Sequence, residues 1–353
     1  MKYRKMGRTG LLVSEISLGC MNFGNQTKEP EAARIVQRAH ELGINCFDTS
    51  NIYPIGGETF GVSEEIVGKL LKPFRHEVLI STKVGGGIAK GLPNQDGLSR
   101  ANIMTSVEAT LKRLQTDYID LYLAHIPHPI TPIDETLRAF DDLVRQGKVR
   151  YIGCSNFEPW VVCKSLWTSD KYNLARFDFM QLRYNLLSRS AEWQLIPFCA
   201  SEGLGMFIYN PLAGGLLAGA LYEPGGKVIA SYEKGAPAPK AGRFVFDMYR
   251  ARYWNDRNLE SVKQLKEIAR KYNRAPTDMS LAWLLVNKNI TSILSLVDFP
   301  EQLNQNAAAI EIALSNEEIL ECNKIYEAML PEGWLAAEIG FRPVTAAPGN
   351  PSR

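Results

Sequence analysis

Short apolar runs alternate along this chain with segments whose apolar residues recur every three or four positions, and the rhythm repeats eight times. The apolar runs near residues 16–18, 46–48, 78–82, 119–124, 149–155, 177–182, 205–209 and 291–297 read as strands. Helices are predicted near residues 31–42, 64–71, 100–114, 133–145, 159–167, 192–200, 259–272, 277–287 and 300–310. In the third of these, Ile103, Val107, Leu111 and Leu114 mark one core-facing stripe. Eight strands, each followed by a helix across short turns, predict a (β/α)8 TIM barrel. A doubly wound sheet is the alternative, but SLGCMNFGN, at the first strand-to-helix turn, lacks the GxGxxG that such a sheet normally shows there.

Three segments fall outside the rhythm. KYRKMGRTGLLVS has two short runs about a Gly7-Arg8-Thr9-Gly10 turn and reads as an N-terminal hairpin. The Gly/Pro-rich stretch 213–258 is long for an inert connection, so it is expected to form a flap or cofactor cover, with a structureless excursion as the other reading. The tail 331–353 carries Trp334, Leu335, Ile339 and Phe341, which predicts partial docking, with fraying from Pro343 onward. All of this fits one barrel domain over 1–353.

Composition narrows the partners. Lysine and arginine total 40 against 38 acidic residues, a formal charge of +2, so neither nucleic acid nor an anionic membrane surface is implied. No signal-type leader or membrane-length apolar stretch is visible, and a cytoplasmic protein with a small-molecule substrate is expected. The six cysteines, at 20, 46, 154, 163, 199 and 322, show no CxxC pair and read as reduced and mostly buried.

A barrel of this kind carries its chemistry at the C-terminal ends of its strands. Asp48 ends the second strand with Tyr53 in the following loop, Lys83 ends the third, and His125 follows the fourth. Each has an ordinary structural explanation alone: a capping Asp, a snorkelling Lys, a packed Tyr, a hydrogen-bonded His. Together they are chemically coherent. An ammonium beside a phenol lowers its pKa and makes it a better proton donor, a carboxylate keeps that ammonium charged, and a neutral imidazole can hold a carbonyl oxygen. His125 and His128 could instead suggest a metal pair, but no third ligand stands at a suitable distance, and no metal is expected.

FDTSNIY, STK, LYLAH and GCSN, in this order at these strand ends, resemble the aldo-keto reductase family, and the resemblance spans about Met1 to Leu330. It implies a nicotinamide-dependent oxidoreductase of carbonyl/alcohol pairs, with Tyr53 as proton donor or acceptor, Asp48 and Lys83 as its tuning pair, and His125 orienting substrate. It further implies Ser155, Asn156 and Gln181 at the carboxamide, Tyr209 stacked on the nicotinamide ring, and Asn210, Leu212 and Gly214 along the pyrophosphate. Gly19, Cys20 and Met21, with Asp298, Gln302, Gln305 and Asn306, complete the implied cofactor set.

The chain departs from that family in two places. Ile126 stands where many members have an aromatic residue, widening the pocket expected from Phe23, Tyr53, His125, Ile126, His128 and Tyr184. LVDF (296–299) replaces the basic stretch usual in NADP-preferring members, with no lysine or arginine between Lys288 and Lys324. NAD(H) is therefore expected to serve at least as well as NADP(H), unless Lys227, Lys234, Lys240 or Arg243 folds over from the long loop. A regulatory nucleotide-binding subunit, as found among channel-associated members of the family, and a redox-neutral epimerase remain open alternatives.

Overall fold

In the computed structural model, which describes residues 1–57, 59–86, 93–222 and 227–330, eight parallel strands close into a barrel. They are β3 (Ile16–Gly19), β4 (Cys46–Asp48), β5 (Leu79–Val84), β6 (Ile119–Ala124), β7 (Val149–Ser155), β8 (Phe179–Arg183), β9 (Gly205–Tyr209) and β12 (Ser292–Leu296), which closes on β3. Residues 3–5 (β1) and 12–14 (β2) pair antiparallel as the expected hairpin, and β10 (Ala220–Tyr222) pairs with β11 (Val228–Ser231).

Two apolar surfaces follow from the strand alternation. Inside the barrel, Cys46, Leu121, Leu123, Phe179, Phe207 and Leu294 pack with Met6 and Val13, which the hairpin supplies as a plug under the floor. Outside, residues such as Ile80, Tyr122, Ile152, Met180 and Ile208 face the helices. These are α1 (Glu29–Glu41), α2 (Val62–Leu71), α3 (Arg100–Leu114), α4 (Ile133–Arg145), α5 (Pro159–Tyr172), α6 (Leu195–Glu202), α7 (Asp247–Tyr253), α8 (Asp256–Lys271), α9 (Pro276–Val286), α10 (Pro300–Ala308) and α11 (Asn316–Glu327).

Helix α5 runs five residues past the predicted end before Asn173 stops it in the left-handed region (φ 52°). Helix α11 was not predicted, although Ser315 and Glu318 carry its signature: each side chain bonds the other's backbone N–H in a capping box. The long stretch is no bare loop. It holds short 3₁₀ turns at 213–218 and 242–245, the β10–β11 ribbon and α7. The tail from Pro331 lies outside the described residues. Five cysteines are buried and only Cys163 is exposed, all as thiols.

Helices α2 and α3 touch at backbone distance. A Cβ on Gly68 would stand 2.4 Å from the Leu114 carbonyl oxygen. Gly68→Ala is expected to destabilise the protein by about 1–3 kcal/mol through this overlap. An unchanged denaturation midpoint would show that the two helices can part without loss.

Candidate active site

At the C-terminal mouth of the barrel, one buried ion pair organises its neighbours. Lys83, wholly buried, donates from Nζ to Asp48 Oδ2 at 2.6 Å and to the Thr49 carbonyl at 2.7 Å. Asp48 Oδ1 in turn accepts from Ser81 Oγ (2.7 Å) and from Gln181 Nε2 (3.0 Å). Because Asp48, Ser81, Lys83 and Gln181 sit on β4, β5 and β8, the carboxylate ties three strands across the barrel.

Tyr53 lies above this pair, its ring centroid 5.0 Å from Lys83 Nζ and 5.9 Å from the His125 ring at nearly a right angle. The expected lowering of its pKa by the ammonium is not what the geometry gives. Burial pushes the phenol up, helped by the negative charge of Asp48. His125 is held neutral: burial first, then the nearby Lys83 cation, bring its pKa from 6.5 to about 3. Its Nδ1 faces Ser50 Oγ at 3.3 Å.

Above the barrel floor opens a cleft of about 450 Å³. Of the residues expected at the cofactor, Gly19, Met21, Asp48, Ser155, Asn156, Gln181, Tyr209, Asn210, Leu212, Gly214, Asp298, Gln302, Gln305 and Asn306 all line it. Tyr209 donates to Asn156 Oδ1 (2.7 Å), and Asn156 donates to the His125 carbonyl (2.9 Å), so three strand ends are linked. Asn210 is fixed by Asn185 on its carbonyl (2.8 Å) and Tyr249 on its side chain (3.2 Å). The turn that follows has positive φ at Asn210, Ala213, Gly214 and Gly215, and a Cβ at Gly215 would meet nothing within 4 Å. That bare backbone faces the cleft as a phosphate-binding turn would.

Four expected residues are elsewhere. The Cys20 thiol is buried in the outer core, its Sγ 3.7 Å from the Leu18 carbonyl. Phe23 also faces that core, because Asn22 bonds Thr27 and folds the loop inward. The His128 ring packs on Gly97 and bonds Thr131 (2.6 Å). Tyr184 has the wrong parity: Gln181 and Arg183 face the barrel interior, so Tyr184 points to the helices, where it bonds Glu192 and packs on Trp283 at 5.3 Å. Tyr53, His125 and Ile126 do line the cleft, Ile126 being 48% exposed.

The sequence reading missed Tyr249 and Arg252 of α7, which enter the cleft with the long segment. Arg243, one of the four cations considered, is 7% exposed in its side chain and pairs with Asp298 at 2.8 Å. Asn22 reaches the same carboxylate oxygen at 3.0 Å, and Arg243 Nη1 is buried without a partner.

A parallel barrel with a carboxylate, ammonium, phenol and imidazole gathered on its mouth is the build of a barrel oxidoreductase. The aldo/keto reductase family profile matches residues 15–327, and the chain belongs to that family. It is similar to an uncharacterized oxidoreductase, YrpG, of Bacillus subtilis (36% identical, covering 92% of this chain and 96% of that protein). It also resembles a putative aryl-alcohol dehydrogenase of Schizosaccharomyces pombe (32%; 90% and 93%) and a putative voltage-gated potassium channel subunit beta of the same yeast (33%; 88% and 88%). The protein is a nicotinamide-dependent oxidoreductase acting on small carbonyl or alcohol compounds. Among the described residues, no helix is long and apolar enough to cross a membrane and no cluster of metal-type ligands occurs.

The neutral His125 has a consequence for stability. Its folded-state pKa lies below the unfolded value, so its contribution is full above pH 6.5 and is lost as pH falls toward about 3, where only the unfolded chain binds the proton. Urea unfolding across that range should show a shallower loss for His125→Gln than for the native protein. Parallel slopes would mean that the imidazole is free to charge in the fold.

Proposed function

We propose that the protein reduces aldehydes or ketones, and oxidises the corresponding alcohols, with Tyr53 as the proton-transferring group. The observation that carries this reading is the convergence of the Tyr53 phenol, the neutral His125 ring and the Lys83–Asp48 pair on one wall of the cleft. The nicotinamide cofactor, when bound, supplies or receives the hydride.

The residues of the chain do the rest. In the tautomer whose Nδ1 accepts from Ser50 Oγ, the His125 ring carries its proton on Nε2 and can donate to a carbonyl oxygen. Tyr53 is held in its protonated form by burial and gives up its proton as charge develops on that oxygen, with the Lys83 ammonium beside its ring to stabilise the phenolate that forms. Ser155, Asn156 and Gln181 fit a carboxamide, Tyr209 a ring face, and the Gly214–Gly215 turn the phosphates. At the adenosine end, Arg243 is held by Asp298.

Tyr53→Phe should cut turnover by roughly 10² or more while nucleotide affinity, read by fluorescence titration, stays within a factor of about two. A mutant keeping over half the native kcat would remove Tyr53 from the mechanism. Because the phenol's pKa is raised, alcohol oxidation should climb with pH through the alkaline range, whereas reduction should be flat. Nucleotide binding without turnover on any carbonyl or alcohol would favour the regulatory-subunit reading that the channel-subunit relative suggests.

Cofactor choice rests on the Arg243–Asp298 pair. Asp298 is 39% exposed in its side chain and can accept from a ribose hydroxyl, while the cation that a 2′-phosphate would need is already engaged. NAD(H) is accordingly expected to serve at least as well as NADP(H). Asp298→Ala, by releasing Arg243, should raise the NADP(H)/NAD(H) ratio of kcat/KM several-fold, and an unmoved ratio would show that this pair does not read the ribose.

A further inference from the structure

Asn210 directly follows β9 and opens the turn of positive φ that faces the cleft. At φ 53° a residue with a side chain is strained unless its surroundings hold it there. Helix α7 does much of that holding. Tyr249 and Tyr253 stand four positions apart on it, so one helical face carries both rings, 6.3 Å between centroids. The Asn210 amide is bonded by both phenols: Oδ1 accepts from the Tyr249 hydroxyl at 3.2 Å, and Nδ2 donates to the Tyr253 hydroxyl at 3.4 Å. Both tyrosines are buried. Tyr249 also meets the turn with its ring, since a Cβ on Gly214 would stand 2.6 Å from Cδ1, a place where only glycine leaves room. Helix α7 is in turn fastened to the rest of the excursion. Arg250 donates to the Phe244 and Val245 carbonyls at 2.8 and 3.0 Å, and the Trp254 indole donates to the Ala236 carbonyl at 2.9 Å.

We propose that Tyr249 and Tyr253 are positioning residues for the nicotinamide cofactor: through the Asn210 amide and the Gly214 backbone they hold the turn after β9 in the shape that takes the pyrophosphate. The inference rests on the assignment of that turn to the phosphates made above. Gly214 and Gly215 give the turn its bare backbone, and the same freedom makes its shape unfavourable to fix without an outside brace. A turn ordered before the nucleotide arrives has less to lose on binding, so the brace appears as affinity. The competing role for Tyr249, which lines the cleft, is direct contact with the nucleotide. Tyr253 is not among the residues that line the cleft and reaches the turn through Asn210.

The test is calorimetric titration with NADH, NADPH and ADP-ribose of Tyr249→Phe and Tyr253→Phe, each alone and combined with Asn210→Gly, which tolerates the positive φ but removes the amide. Each phenylalanine variant keeps its ring and should weaken all three nucleotides roughly five- to tenfold, with the nucleotide KM rising to match and kcat at saturation falling less than about twofold. In the Asn210→Gly background the same substitutions should add less than about twofold, because the group they act through is gone. Native affinity in both phenylalanine variants overturns the proposal. So do losses that persist in full beside Asn210→Gly, which would assign the hydroxyls to another partner such as the nucleotide itself. A loss for NADH and NADPH that ADP-ribose does not share also overturns it, since ADP-ribose has the pyrophosphate but no nicotinamide and the effect would then belong to the Tyr209 ring. The titrations need no turnover. A protein that binds nucleotide but reduces no carbonyl therefore fails the oxidoreductase reading while the same affinities still decide the brace, and one that binds none of the three overturns both.

Discussion

The Asp48–Lys83 pair is the constraint on which the rest of the site depends. An isolated ammonium in the middle of a barrel would be strongly disfavoured, and an isolated carboxylate equally so; each is tolerated because the other is within hydrogen-bond distance and the remaining polar atoms are also engaged. Ser81 and Gln181 saturate one carboxylate oxygen, and Thr49 takes a second lysine proton. Such a network has few alternative arrangements, since losing any member leaves a buried charge underbonded. It therefore fixes the relative positions of β4, β5 and β8 at the level where Tyr53 and His125 stand above it.

From that fixed pair the protonation states of the two rings follow. The cation beneath them discourages a second positive charge, so His125 stays neutral, and the carboxylate joins burial in holding Tyr53 as a phenol. Two groups that differ widely in solution are both brought to their neutral, hydrogen-bonding forms. A carbonyl oxygen placed between them would meet two donors and no counter-charge except the lysine, an arrangement that favours the alkoxide-like state over the ground state.

The fold and this pair were readable in the sequence because both depend on short-range pattern. Strand runs of period two and helical stripes near period 3.6 placed β4, β6, β7, β9, α3 and α4 with the same bounds that the structure shows. Strand-end polar residues are equally local, so Asp48, Lys83 and His125 stood out. The failures have physical causes. Tyr184 was assigned to the pocket although alternation from Gln181 turns it outward to the helices, and Phe23 was turned inward by a loop bond between Asn22 and Thr27. Helix α11 was missed because its apolar stripe is weak, although its capping box was in plain sight.

What no local pattern could reveal is the pairing of distant charges. Arg243 and Asp298 lie 55 positions apart, and their contact exists only because the segment after β9 folds back over the last strand, where Gln26 also bonds the Gly242 carbonyl at 2.7 Å. Counting cations near Asp298 along the chain finds none, and of the four named as able to fold over from the long loop it is Arg243 that reaches it. The same back-folding brings Tyr249 and Arg252 of α7 into the cleft. In this barrel the strands determine which chemistry is possible, since they hold the buried pair. The excursion after β9 determines the charge of the cleft that chemistry opens into, and so which anions, on cofactor or substrate, are drawn to it.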